Sequence, residues 1–142
     1  MKRLALMMVA AMITSLTFAQ KIQEKDVPAG VKTAFQKKFP QANVEKWEKE
    51  GLNFEAEFEL NKSEQSVLFD AQGSIIETEI EIKISQLPNG VSDYVKTNYK
   101  GQSVKEASKI TDTKGTVTYE AEIKGIDLIF DGNGKFIKEI KN

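Results

Sequence analysis

Leu52-Asn53-Phe54-Glu55-Ala56-Glu57-Phe58-Glu59-Leu60 decides the fold. Leu52, Phe54, Ala56, Phe58 and Leu60 alternate with Asn53, Glu55, Glu57 and Glu59. Successive side chains of a strand point to opposite faces, so this spacing predicts a half-buried antiparallel strand with one apolar and one acidic side. The pattern returns as Val117, Tyr119, Ala121 and Ile123 alternating with Thr118, Glu120 and Glu122. Phe54-Glu55-Ala56-Glu57 set against Tyr119-Glu120-Ala121-Glu122 is the mark of one unit written twice.

Downstream of each copy, Val67-Leu68-Phe69-Asp70-Ala71-Gln72-Gly73 and Leu128-Ile129-Phe130-Asp131-Gly132-Asn133-Gly134 predict a strand running into a hairpin. Gly supplies the positive φ, and Asp caps its own turn. Ile75-Ile76 and Phe136-Ile137 open the return strands, the first of them long, from Ile75 to Ile84. Upstream, Val44 to Lys49 and Val104 to Ile110 read as the first strand of each unit. Earlier still, Val27-Pro28-Ala29-Gly30-Val31 returns sixty positions later as Leu87-Pro88-Asn89-Gly90-Val91.

Val31, Ala34, Phe35 and Phe39 return as Val91, Tyr94, Val95 and Tyr99, at spacings that form one helical stripe. Pro28 and Pro88 suit a first helical turn, where the missing N–H is no loss. The first helix is expected to stop before Pro40 and the second before Gly101. The fold class that follows is α+β, with two tandem helix-plus-four-strand units, residues 20–84 and 85–142. One apolar stripe per helix and one apolar face per strand predict a single antiparallel sheet with both helices on one face.

The N-terminus sets the compartment. Lys2 and Arg3 precede an apolar run from Leu4 to Leu16, and Thr17-Phe18-Ala19 has small residues where a signal peptidase reads. Residues 1–19 are therefore expected to be an export signal cleaved before Gln20, with no membrane span left in the mature chain, which is then periplasmic or secreted. Removing Lys2 and Arg3 leaves 18 basic against 21 acidic residues, a net charge of −3. Such a balance argues against nucleic acid, which calls for a basic stripe.

Cysteine and histidine are both absent from the chain. The usual zinc, copper and haem ligand sets cannot be assembled, nor can Cys-His or Ser-His-Asp nucleophiles. Carboxylate pairs survive this filter, but they lie on alternating strand faces with no sign of a cleft, and no Gly-rich phosphate loop occurs. The expectation is a protein without catalytic residues, metal or cofactor.

Three features carry a binding reading. Glu55, Glu57 and Glu59, then Glu77, Glu79 and Glu81, then Glu120 and Glu122 form acidic rows on the face away from the helices. They are either an electrostatic docking surface for a basic partner or an ordinary solvated sheet face balanced by Lys46, Lys62 and Lys83. If Val44 points to the core, strict alternation puts Trp47, the only tryptophan, on that open face as a binding anchor. A single bulged residue would return its ring to the core. Asp131-Gly132-Asn133-Gly134 has oxygens at alternate positions like a calcium loop but lacks the later Glu, so it reads as a plain turn.

In Val27-Pro28 with Val31 and Phe35, Phe39-Pro40, Val44, Trp47-Glu48, Phe54-Glu55-Ala56 and the Phe69-Asp70-x-x-Gly73 turn, the chain resembles the bacterial PepSY-like family. A weaker second pass runs from Leu87-Pro88 to Gly134. That family is also described as similar to a secreted β-lactamase inhibitor protein, whose sheet face turned away from the helices contacts its target. The resemblance implies tandem helix-plus-sheet units that bind other proteins. The inhibitor's cysteines are missing here and none of its target-contacting residues can be matched, so β-lactamase inhibition is not carried over. The leading expectation is a non-enzymatic module for a protein partner, possible contacts being Trp47, Glu55, Glu57, Glu59, Glu77, Glu79, Glu120 and Glu122. The alternative is an envelope protein sensing a small ligand or cation through the same acidic face.

Overall fold

The structure, a computed structural model, describes residues 19–142. The basic start and apolar run of the expected export signal lie outside them. Within the described residues the order is β1 (Gln20–Ile22), α1 (Ala29–Lys38), β2 (Val44–Glu50), β3 (Asn53–Leu60), β4 (Ser63–Phe69) and β5 (Ile75–Ile82). A second series follows with α2 (Val91–Asn98), β6 (Glu106–Asp112), β7 (Val117–Ile123), β8 (Ile126–Asp131) and β9 (Phe136–Lys141). The nine strands form one antiparallel sheet in which sequence order is spatial order. Two compact units divide between Thr78 and Glu79, within β5.

In the first unit, α1 buries Val31 and Phe35 against Trp47, Phe54, Ala56, Phe58, Val67 and Phe69. The Phe35 ring meets Phe58 edge-on at 5.0 Å and Trp47 at 6.0 Å, while Phe39 tilts over Phe58 at 4.7 Å. These are geometries in which aromatic pairs add attraction beyond area burial. The helix ends where expected, with Phe39 N–H donating to the Phe35 carbonyl just before Pro40, whose ring cannot continue the ladder.

The second unit repeats the plan, with Val91 and Val95 buried against Ala121, Ile123, Leu128 and Phe130. Tyr94 stacks on Phe136 at 4.7 Å and meets Phe130 edge-on at 5.5 Å.

The Asp-x-x-Gly turns form as expected. Asp70 Oδ1 accepts from the Gln72 and Ser74 N–H groups at 2.9 Å, and Asp131 Oδ1 accepts from Asn133 and Lys135 at 2.9 Å. Backbone donors thus hold the Asp131 carboxyl below the usual carboxylate range, and the oxygen a calcium loop would offer is already engaged. Gly73 (φ +88°) and Gly134 (φ +85°) take the left-handed positions. Each turn also docks on the start of its own helix. A Cβ on Gly73 would fall 2.7 Å from the Gly30 carbonyl oxygen, and one on Gly134 would fall 2.6 Å from that of Asn89. This contact accounts for the pairing of a Pro-x-Gly helix start with an Asp-x-x-Gly turn in each unit.

Three expectations need correction. Leu52 belongs to the turn between β2 and β3 and is 83% exposed, because the strand begins only at Asn53. A short strand precedes α1, pairing Gln20, Lys21 and Ile22 with Lys49, Glu48 and Trp47. Trp47 does not lie on the open face. The β2–β3 register shifts between Val44 and Lys46, so Val44 and Trp47 both turn toward the helix, and Trp47 is 6% exposed. The extra residue of a bulge reverses the alternation, which is its general effect.

Candidate functional site: an acidic sheet face in each unit

The face turned away from the helix is built on the same register in both units. In the first, Glu48 pairs with Glu55, which pairs with Leu68, and Lys46 pairs with Glu57, which pairs with Ser66. In the second, Ser108 pairs with Glu120 and then Ile129, and Glu106 pairs with Glu122 and then Asp127. Directly opposite residues on one face lie about 5 Å apart at Cβ, so each set is a contiguous row.

Depth along these rows departs from the expectation of a solvated face. Glu55 is fully buried, Glu79 is 1% exposed, and Glu77 and Glu120 are also buried. Glu57, Glu81 and Glu122 are half-buried, and Glu59 alone of the eight is exposed. Leu68, Ile110 and Ile129 are buried outside the two helix-side clusters. Carboxylates at such depth are stable only when paired, hydrogen-bonded or protonated.

The first unit shows how its acids are accommodated. Lys46 Nζ lies 2.7 Å from Glu48 and 3.0 Å from Glu57. Burial pulls the Lys46 ammonium toward neutrality, but its hydrogen bonds to Glu48 and Glu57 outweigh that and hold it charged. Burial raises the Glu57 carboxyl despite Lys46, and Glu48 and Glu45 add to the rise. Glu50, 6% exposed, is pushed up to about 7 by burial, with Glu48 and Glu57 reinforcing and a hydrogen bond with Glu55 opposing. In the second unit, burial raises Asp127, and its hydrogen bond with Asn142 opposes the rise.

Oxygens of Glu48, Glu55 and Glu57 lie within 4.8 Å of one another, close enough for a shared cation. The Lys46 ammonium already sits on two of the three. The sequence placed Glu55 and Glu57 on this face and counted Lys46 among the balancing lysines. It did not nominate Glu48 or Glu50, because their place beside Glu55 depends on the bulge that displaces Trp47.

A repeated helix-plus-sheet unit with an acidic outer face defines a two-repeat α+β protein. The chain belongs to the PepSY-like family, whose description reads "Putative beta-lactamase-inhibitor-like, PepSY-like", with residues 16–77 and 61–138 matched. No curated protein matches it. Among solved structures it is similar to a DUF2874 family protein from Bacteroides uniformis, at 21% identity and a TM-score of 0.69, covering 80% of this chain and 88% of that one. A structure from Bacteroides eggerthii described as "putative periplasmic proteins" aligns at 14% identity and a TM-score of 0.71, over 81% and 88%. A BLIP-like protein from Bacteroides fragilis aligns at 24% identity and a TM-score of 0.63, over 80% and 86%. At these identities the likeness establishes the fold.

Proposed function

We propose that the protein is a non-enzymatic binding module of the cell envelope that recognises a protein partner through the acidic face of its sheet. The observation that carries this reading is the two-sidedness of each unit. The helix seals one face with an aromatic cluster, and the opposite face presents carboxylates at repeated register positions. Glu57, Glu59, Glu81 and Glu122 are the accessible members and serve as the contacts. Glu55, Glu77, Glu79 and Glu120 are buried and lie out of a partner's direct reach. Trp47 belongs to the core and takes no part.

The family description and the BLIP-like relative support a role in modulating an envelope enzyme. The periplasmic description of the B. eggerthii relative and the chain's N-terminal sequence support export. Among the described residues no helix is long and apolar enough to cross a membrane.

The test is affinity capture from envelope extract with the mature chain and a Glu57→Lys, Glu59→Lys variant side by side. Any captured protein is then re-measured as a purified pair. The expected result is a partner whose association slows with the double reversal and with added salt, as steering by exposed charge requires. A correctly folded variant that captures everything the parent does would overturn the reading.

A further inference from the structure

The second unit carries two Asn-Gly junctions that the first lacks. Asn89-Gly90 leads into α2 and Asn133-Gly134 closes the turn after β8, where the first unit has Ala29-Gly30 and Gln72-Gly73. An asparagine followed by glycine can react with its own backbone. The glycine nitrogen attacks the side-chain Cγ, since no Cβ shields that nitrogen or restricts the chain about it. The two junctions also meet, for a Cβ on Gly134 would fall 2.6 Å from the Asn89 carbonyl oxygen.

Their surroundings differ. At Asn133 the reacting nitrogen is engaged, because the Gly134 N–H donates to the Asp131 carbonyl at 3.0 Å. The Asn133 N–H donates to Asp131 Oδ1 at 2.9 Å, and Gly134 is half-buried against Pro88 and Asn89. At Asn89 the reacting groups are loose. Among the described residues neither the Gly90 N–H nor the Asn89 side-chain amide forms a hydrogen bond. Both residues are exposed, and nothing lies within 4 Å of where a Gly90 Cβ would stand. The Gly90 nitrogen therefore gives up no hydrogen bond in turning toward Cγ.

We propose that Asn89 is a site of spontaneous chain modification, deamidating through a cyclic imide on the Gly90 nitrogen to aspartate or isoaspartate, while Asn133 is held inert by its turn. The Gly90 nitrogen passes its proton to water or hydroxide and bonds to Asn89 Cγ. The Cγ–Nδ2 bond breaks, and the nitrogen leaves as ammonia after taking a proton from water. Water then opens the imide. Cleavage between Cγ and the Gly90 nitrogen gives aspartate on the original chain path. Cleavage between the Asn89 carbonyl carbon and that nitrogen gives isoaspartate, in which the chain runs through Cγ and the former carbonyl becomes a free carboxylate. That carbonyl is where Gly134 rests, so isoaspartate removes the seat of the turn. Aspartate only adds negative charge just before Gly90, the N-cap of α2, where the helix dipole favours it. The first unit has alanine at the matching place and keeps its seat. The modification loosens one repeat with time and spares the other.

The test holds the mature chain at mildly alkaline pH for weeks and follows the peptide spanning each junction by mass spectrometry. Labelling with an isoaspartate methyltransferase separates isoaspartate from aspartate. Asn89 is expected to convert about tenfold faster than Asn133, because only at Asn133 must a backbone hydrogen bond first be given up. In urea, with both junctions in open chain, the two rates are expected to converge. Equal rates in the folded protein, or a faster Asn133, would overturn the proposal. Thermal melts provide the second readout. The isoaspartate fraction, isolated by ion exchange, is expected to melt below the fresh parent, and Asn89→Asp to melt no lower than it. An isoaspartate fraction that melts with the parent would overturn the loss of the seat. Neither readout involves a partner, so a failure of capture bears on the docking face alone.

Discussion

The two units differ most where their frameworks agree best. Glu55 and Glu120 hold the same place, each buried on the middle strand and each opposite a buried aliphatic residue, Leu68 or Ile129. Around that shared pair the charges are redistributed. Where the first unit has Lys46, the second has Glu106, where it has Glu48, the second has Ser108, and where it has Ser66, the second has Asp127. Helix, strands and capped turn survive this exchange because they rest on apolar periodicity and turn chemistry facing the other way. The helix side is a constraint of folding, and the acidic side is where the two copies have been free to diverge.

The strongest way to break that division is to attack the helix side in each unit. Phe58→Ala and Phe130→Ala each remove a fully buried ring from an aromatic cluster. Each is expected to destabilise by about 3–5 kcal/mol, as large-to-small changes at such sites do. Urea unfolding followed by far-UV circular dichroism measures it, and a loss under 1 kcal/mol in either variant would mean that its cluster does not hold its unit together.

The turn contact is expected to come next. Gly73→Ala and Gly134→Ala place a side chain at φ near +87° and drive a Cβ to within 2.7 Å of a helix-start carbonyl. The left-handed backbone alone costs about 1–2 kcal/mol, and relief of the clash moves the turn off the helix. Both variants should lose at least about 2 kcal/mol by the same urea assay, the backbone and clash contributions adding. Losses of the same size in the two units would show that the docked turn is a common requirement of the repeat.

What could be read in the sequence follows the range of the interactions involved. The Asp70 and Asp131 turns were legible because a carboxylate, two backbone N–H groups and a glycine all lie within five residues. The helices and strands β3, β4, β7 and β8 were legible because their apolar period is local. The three-residue β1 was not, since so short a segment shows no alternation. Trp47 was placed conditionally on the wrong face because a bulge is a property of two paired strands. The burial of Glu55, Glu79 and Glu120 was illegible for a related reason. Alternation tells which side a residue takes, and depth depends on what its neighbours across the sheet contribute.

A smaller effect probes the charge arrangement peculiar to the first unit. Lys46→Met keeps the aliphatic stem and deletes the ammonium between Glu48 and Glu57. All three side chains retain some contact with water, so the expected loss is only about 1 kcal/mol at pH 8, near the upper end for such pairs. At pH 5 the loss shrinks, because the Glu57 carboxyl, already raised by burial, takes up a proton more readily without its cation. A loss independent of both pH and salt would mean that Lys46 acts through packing of its stem.

The smallest expected change separates stability from recognition. Glu59 is exposed on β3 directly opposite Glu64, and the position that continues the matching strand of the second unit is Lys124. Like charges directly opposite on neighbouring strands are mildly destabilising, so Glu59→Lys brings the second unit's residue into the first and relieves that repulsion. A gain of about 0.2–0.5 kcal/mol, fading as salt is added, is the expected result in urea unfolding. The same substitution removes an accessible carboxylate from the proposed docking face and is expected to slow association with a basic partner. Opposite signs in the two assays cannot arise from a general loss of structure. A variant that gains stability yet weakens binding would place the carboxylate at position 59 in service of the partner, whereas unchanged binding would show that the docking surface lies elsewhere on the face.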